Sequence, residues 1–237
     1  MKNYSILVTL FIAMTILSMQ SCMNCVEPAG EVKTESRKLD NFTKIYIAIP
    51  ANIKIISGDS AKISITTSES YLTEISSDVK RGKLRLEGNI CDETNGGVSI
   101  ELTVPELAEI SINGSANAFS DIPIRTDRLS LDINGSGYIS LNVFANTIKN
   151  KITGSGEINI SGTCQKLDVE IDGSGEFKGL GLNSYSANVH IAGSGKANIV
   201  ALNKLIAKVA GSGEISYSGE PEVSVDISGN GKINKLN

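Results

Sequence analysis

The chain of 237 residues has no tryptophan, one histidine, five prolines and four cysteines, and aromatic side chains make up only 5% of it. Each shortage narrows the reading. With so few rings, a core has to be assembled from isoleucine, valine and leucine, which suits a narrow interior better than a broad sandwich core. The single histidine, His190, would have to carry any triad or zinc site by itself. Lysine and arginine number 22 against 26 acidic residues, a net charge of −4. A basic face for nucleic acid is therefore not expected. Beyond Cys22, the cysteines Cys25, Cys91 and Cys164 are irregularly spaced. They form neither a disulfide framework nor a Cys-x-x-Cys pair among themselves, so zinc and redox work are not expected. Whether any two of them pair is left open by spacing alone.

What is present is a repeat. A Gly-Ser-Gly-type element returns seven times, its first glycine at Gly114, Gly135, Gly154, Gly173, Gly193, Gly211 and Gly229. The intervals run from 18 to 21 residues. Two residues before each glycine stand Ile112, Ile133, Ile152, Ile171, Ile191, Val209 and Ile227. Four and six residues before, the entries are again mostly aliphatic, with Asn150 the polar exception in its column. This alternation is that of a half-buried strand, and it resumes after the glycines with Ile139, Ile158, Phe177, Ala197, Ile215 and Ile233. The glycines then mark corners where the backbone needs a positive φ or a close approach that a Cβ would block. A repeat this short leaves no room for a strand–helix–strand crossover, which takes about 30 residues. The fold class expected is all-β: a single-domain parallel β-solenoid with rungs of about 18–21 residues. An antiparallel sandwich of hairpins is the rival, and the recurrence of the same residue types at the same rung positions favours the solenoid.

The outward positions fit parallel stacking. Three residues before the glycine the column reads Asp132, Lys151, Glu170, His190, Lys208, Asp226, and three after it Tyr138, Glu157, Glu176, Lys196, Glu214, Lys232. Most neighbours are opposite in sign or neutral, an arrangement that stabilises adjacent strands. Both columns read as solvated faces.

The first residues are a targeting segment. Lys2 supplies charge and Ile6 to Leu17 an apolar stretch too short for a comfortable membrane span. Ser21-Cys22 at its end resembles a bacterial lipoprotein cleavage site, which implies acylation at Cys22. The organisation expected is residues 1–21 as signal peptide, 22–36 as a tether, and 37–237 as the solenoid domain. Strands begin near Leu39, residues 68–80 leave room for a longer excursion, and Gly58 and Gly88 read as degenerate corners. Lys232 and Lys235 flank the last strand, and charge there opposes end-to-end strand addition.

Arg37-Lys38-Leu39-Asp40-Asn41-Phe42-Thr43-Lys44-Ile45, the step Val104-Pro105-Glu106-Leu107 and the turn Ile112-Asn113-Gly114-Ser115 together resemble the auto-transporter adhesin head (GIN) domain family of Bacteroidota. The resemblance covers about 37 to 235. It implies an exported, often lipid-anchored β-solenoid with an adhesion role, and it brings no catalytic residues.

The remaining motifs are weak. Phosphate-cradling glycine loops open a helix, whereas here a strand follows each turn. Calcium-binding glycine repeats need an aspartate in every rung, and only Asp172 touches a turn. His190 stands in an outward column between Glu170 and Lys208. Glu157, Glu176 and Glu214 share a column, the one arrangement that admits carboxylate-pair chemistry on a polysaccharide. Asp59-Ser60-Ala61 resembles an O-glycosylation acceptor motif of Bacteroidota, with modification at Ser60. No catalytic, metal-binding or cofactor-binding residue is assigned. The expectation is a non-enzymatic, outer-membrane lipid-anchored interaction module, adhesin-like, meeting a protein or glycan ligand. The alternatives are an envelope component that binds a membrane-protein partner and a polysaccharide-active enzyme.

Overall fold

A computed structural model describes residues 25–91 and 97–236. The signal segment 1–21 and Cys22 lie outside the described residues. The rest is nearly all strand, wound into a β-solenoid of about 7 turns as a single domain.

The repeat half sets the pattern. Strands β10 (Ile124–Gly135), β11 (Tyr138–Gly154), β12 (Glu157–Gly173), β13 (Glu176–Gly193) and β14 (Lys196–Gly211) stack in parallel, and β15 (Glu214–Ser218), β16 (Glu222–Gly229) and β17 (Lys232–Lys235) finish the coil. The register sets like on like. Ile133 pairs with Ile152, Ile152 with Ile171, Ile171 with Ile191, Ile191 with Val209 and Val209 with Ile227. Each isoleucine of that column from Ile133 to Ile191 is fully buried. Burial of such a side chain contributes about 1.5–3 kcal/mol, so the interior is a continuous aliphatic rod.

The two glycines of each turn do different work. The seven first glycines have φ between 112° and 133°, which a side chain rarely adopts. The second glycine gives room instead. A Cβ at Gly175 would meet Ile152 Cγ2 at 2.5 Å and the Gly156 carbonyl oxygen at 2.9 Å. Serine between them donates its N–H to the glycine of the rung below, as from Ser174 to Gly154 O at 2.9 Å.

The N-terminal third departs from a purely parallel coil. Strands β2 (Lys44–Ile47) and β3 (Asn52–Ser57) form one rung, and β8 (Glu109–Gly114) with β9 (Asn117–Phe119) stacks on it towards the repeats. On its other side lies a rung made later in the chain, β6 (Lys83–Glu87) and β7 (Ser99–Val104). The chain therefore runs out past its own first rung and returns through Val104-Pro105-Glu106-Leu107. Three pairings in this region are antiparallel: β1 (Val32–Lys38) with β4 (Lys62–Ser68), β4 with β7, and β5 (Ser76–Lys80) with β6. The β5–β6 hairpin turns at Arg81 and Gly82, both with positive φ. Gly58 and Gly88 do not share the positive φ of the repeat corners. The excursion expected at 68–80 contains α1 (Glu69–Glu74), whose Tyr71 is buried against the end of the rod.

The tether expected at 22–36 is, in its described part, built into this cap. Cys25 is disulfide-bonded to Cys91, and Val26 exchanges backbone hydrogen bonds with Asn89 and Cys91, each at 2.9 Å. Ser70 Oγ donates to Glu27 O and accepts from the Ala29 N–H. Strand β1 then pairs with β4, and Arg37 donates to the carbonyls of Ile75 and Leu72 and to Ser77 Oγ. Composition alone hides this because these contacts are hydrogen bonds and one cross-link, and they need no apolar period.

Candidate functional site

Stacking converts each outward column into a ladder of side chains one strand apart. Asp132, Lys151, Glu170, His190, Lys208 and Asp226 follow one another in register. Lys151 Nζ lies 2.6 Å from Glu170 and 3.5 Å from Asp172. Beside this ladder Lys166 meets Asp168 at 3.0 Å. A shallow open depression runs across these strands, lined by Asp132, Lys149, Lys151, Asp168, Glu170 and His190, among others. Burial raises the pKa of Asp132 above the usual carboxylate range, against the opposing pull of Lys151. A partly desolvated carboxylate with a cation beside it is a hydrogen-bond acceptor for hydroxyl, amide or ammonium groups. The depression presents side chains of alternating charge.

Asn150, the polar entry in an inward column, is buried, and its Nδ2 donates to Asp168 O at 3.3 Å. Its Oδ1 has no hydrogen-bond partner among the described residues. The structure thus supplies the buried partner for one end of the amide only.

The three glutamates do not form a free set. Glu157 and Glu176 are adjacent in register, and Lys178 Nζ lies 2.8 Å from the first and 3.7 Å from the second. These contacts, above all the hydrogen bond to Glu157, hold the Lys178 ammonium above its ordinary pKa. Glu214 is separated from Glu176 by Lys196 and accepts from Asn234 Nδ2 at 2.7 Å. The group between the two adjacent carboxylates is an ammonium, and a glycosidase pair needs one carboxyl able to hold a proton there.

Elsewhere, Ser60 is exposed in the bend between β3 and β4. Cys164 is a free thiol buried in the interior, pushed up to about 12 by that burial. Among the described residues no group of three or more His, Cys, Asp or Glu side chains could hold a metal ion, and no helix is long and apolar enough to cross a membrane. Sequence reasoning missed the Cys25–Cys91 bond. The available signal was a pair of cysteines near the cap segments of a chain expected to be exported, but 66 residues of separation conceal the pairing.

These features define a parallel β-solenoid capped at its N-terminal end, with ion-paired polar faces. The chain belongs to the family described as "Putative auto-transporter adhesin, head GIN domain", whose model matches residues 41–221. A solved "putative adhesin" from Bacteroides fragilis is similar over 89% of this chain and 100% of its own, at 22% identity and a TM-score of 0.84. A "Putative lipid binding protein" from Parabacteroides distasonis covers 90% of this chain and 99% of its own, at 25% identity and a TM-score of 0.72. A "putative adhesin" from the same species is similar over 89% and 99%, at 21% identity and a TM-score of 0.73. No curated protein matches the chain.

Proposed function

We propose that this protein is a non-enzymatic, lipid-anchored module of the cell envelope that binds a protein or glycan through the polar ladder face of its solenoid. The observation that carries the reading is the Cys25–Cys91 bond. Structural disulfides belong to oxidising compartments, which supports export. The bond also sits three residues after Cys22. An extended chain spans at most about 3.6 Å per residue, so an acyl group on Cys22 would hold the capped end close to the membrane. The repeats would then project away from it. The family description supports an adhesin-like role, and the lysine shared by Glu157 and Glu176 weighs against hydrolysis.

Metabolic labelling with a fatty-acid analogue tests the anchor: label in the wild type and none in Cys22→Ala is expected, and unchanged membrane association of that variant would dispose of it. A glycan array and a pull-down with the purified protein test the ligand class. Reproducible binding lost in Asp132→Ala or Lys151→Ala is expected. Turnover of a polysaccharide that disappears in Glu157→Gln or Glu176→Gln would replace this reading with an enzyme. Capture of an envelope protein alone would favour a structural or sensory component. Ser60 is exposed enough for O-glycosylation, and a mass shift that Ser60→Ala removes would establish it.

A further inference from the structure

The two ends of the rod are built differently. At the N-terminal end β1, β4, α1 and the disulfide cover the aliphatic columns. At the other end, none of the described residues covers the last rung. Val225 and Ile227 stand in columns whose earlier members are buried, yet they are 52% and 42% exposed. Val223 and Ile233 beside them are partly buried. Strands β16 and β17 each pair on one side only, with β14 and β15 respectively.

The charges at this end are asymmetric. Strand β16 carries Glu222 and Asp226, and β17 carries Lys232 and Lys235. Each outward ladder thus stops on a different sign, one as Lys208–Asp226 and the other as Glu214–Lys232. Two symmetric contacts of this end with a second copy differ in how they place these charges. A two-fold that lays β16 on β16 with its axis at Asp226 sets that carboxylate against its own copy. A two-fold along the bisector of the Gly229–Gly231 corner instead lays β16 of each copy on β17 of the other, antiparallel.

Counting outward from the corner, this second arrangement brings Ile227 of one copy onto Ile233 of the other, twice. It sets Asp226 opposite Asn234 and diagonal to Lys232, within reach for long side chains across antiparallel strands. Both ladders then continue through the junction with alternating sign. Lys232, which opposes addition of a like strand, becomes the partner of an acidic one, while Lys235 is paired with Glu220 of its own chain at 2.6 Å.

We propose that the open end is a self-association surface, where two copies join tail to tail with β16 of each paired to β17 of the other. The contact is isologous, so it closes at two copies. The contact is confined to the two short strands of the last rung, and the dimer is accordingly weak and concentration-dependent. The inference does not depend on which ligand the ladder face binds.

Sedimentation velocity of the purified chain over a concentration series tests it. The wild type is expected to pass from monomer to dimer, with no larger species. Asp226→Lys and Lys232→Asp should each weaken association by about tenfold or more. Mixing the two variants in equal amounts should restore it, because each of the two contacts between positions 226 and 232 then holds one lysine and one aspartate. Ile227→Lys should abolish it. These positions are exposed, and unchanged melting curves will show that the variants remain folded. A chain that stays monomeric to about millimolar concentration, a mixture that fails to recover, or a dimer indifferent to Ile227→Lys would each overturn the proposal.

Discussion

Ile152 occupies the space into which Gly175 would project a side chain: a Cβ there would lie 2.5 Å from Ile152 Cγ2. The rung spacing of the solenoid is thus fitted to the absence of one atom. Gly175→Ala forces a shift in a close-packed column and should cost about 1–3 kcal/mol. Gly173→Ala should cost at least as much, because its φ of 127° is strained for alanine and its Cβ would sit 2.6 Å from Gly154 O. Gly82→Ala is the control. Its φ is also positive, yet nothing lies within 4 Å, so only the backbone penalty should appear. Chemical denaturation of the three variants checks the order.

Ile171 and Lys151 separate the two faces of one sheet. Ile171→Asp puts an unpaired charge where the side chain is fully buried, and loss of the folded state is expected. Lys151→Ala removes the ion pairs with Glu170 and Asp172 at a side chain 44% exposed and should cost below about 1 kcal/mol. Comparable melting shifts would mean the faces are misassigned.

Asn150→Val should raise stability. It removes the buried Oδ1 that lacks a partner and matches Val169, its register neighbour. An unsatisfied buried acceptor costs about 1–3 kcal/mol. An unchanged or lowered melting temperature would show that the bond to Asp168 O outweighs it.

The disulfide joins positions 66 residues apart. In the chain-entropy account a loop of that length contributes about 4 kcal/mol. Cys91→Ser, or reduction, should lower the melting temperature and release the segment from Cys25 to protease. Cys164 should resist alkylation in the folded protein, since its thiol is buried with a pKa near 12, and react once denatured.

Two carboxylates should show opposite pH signatures. Burial opposes the Glu109 carboxylate, but Lys83 at 2.7 Å and Lys44 at 3.5 Å outweigh it and lower its pKa. Its contribution is present above the unfolded value of about 4.3 and is lost as pH falls through the lower folded value. Glu109→Gln should therefore be less stable near neutral pH, with the gap closing in acid. Asp132 has a raised pKa, so its penalty is absent below about 3.9 and grows as pH rises through the folded value. Asp132→Asn should be more stable near neutral pH and equal to the wild type in acid. Melting curves from pH 3 to 7 compare them.

The repeat half was legible because each rung is written in local chemistry. Period-two aliphatics from Ile133 to Val209 set the inward face, and the Gly-Ser-Gly turns set the corners. Because each rung packs on neighbours of the same pattern, adjacency in sequence predicts adjacency in space. The N-terminal third breaks that rule. Strands β6 and β7 stack outside β2 and β3, against chain order, and β1, whose residues 32–36 read as tether, pairs with β4.

The candidate site divides in the same way. Alternation placed Asp132, Lys151, Glu170 and His190 in one outward column from sequence alone. That Lys178 reaches back to Glu157, that Cys25 meets Cys91, and that Ile227 is left uncovered were decided by tertiary structure. A local pattern specifies which way a side chain points. Which distant group stands opposite it, or whether any does, depends on how the ends of the rod are closed.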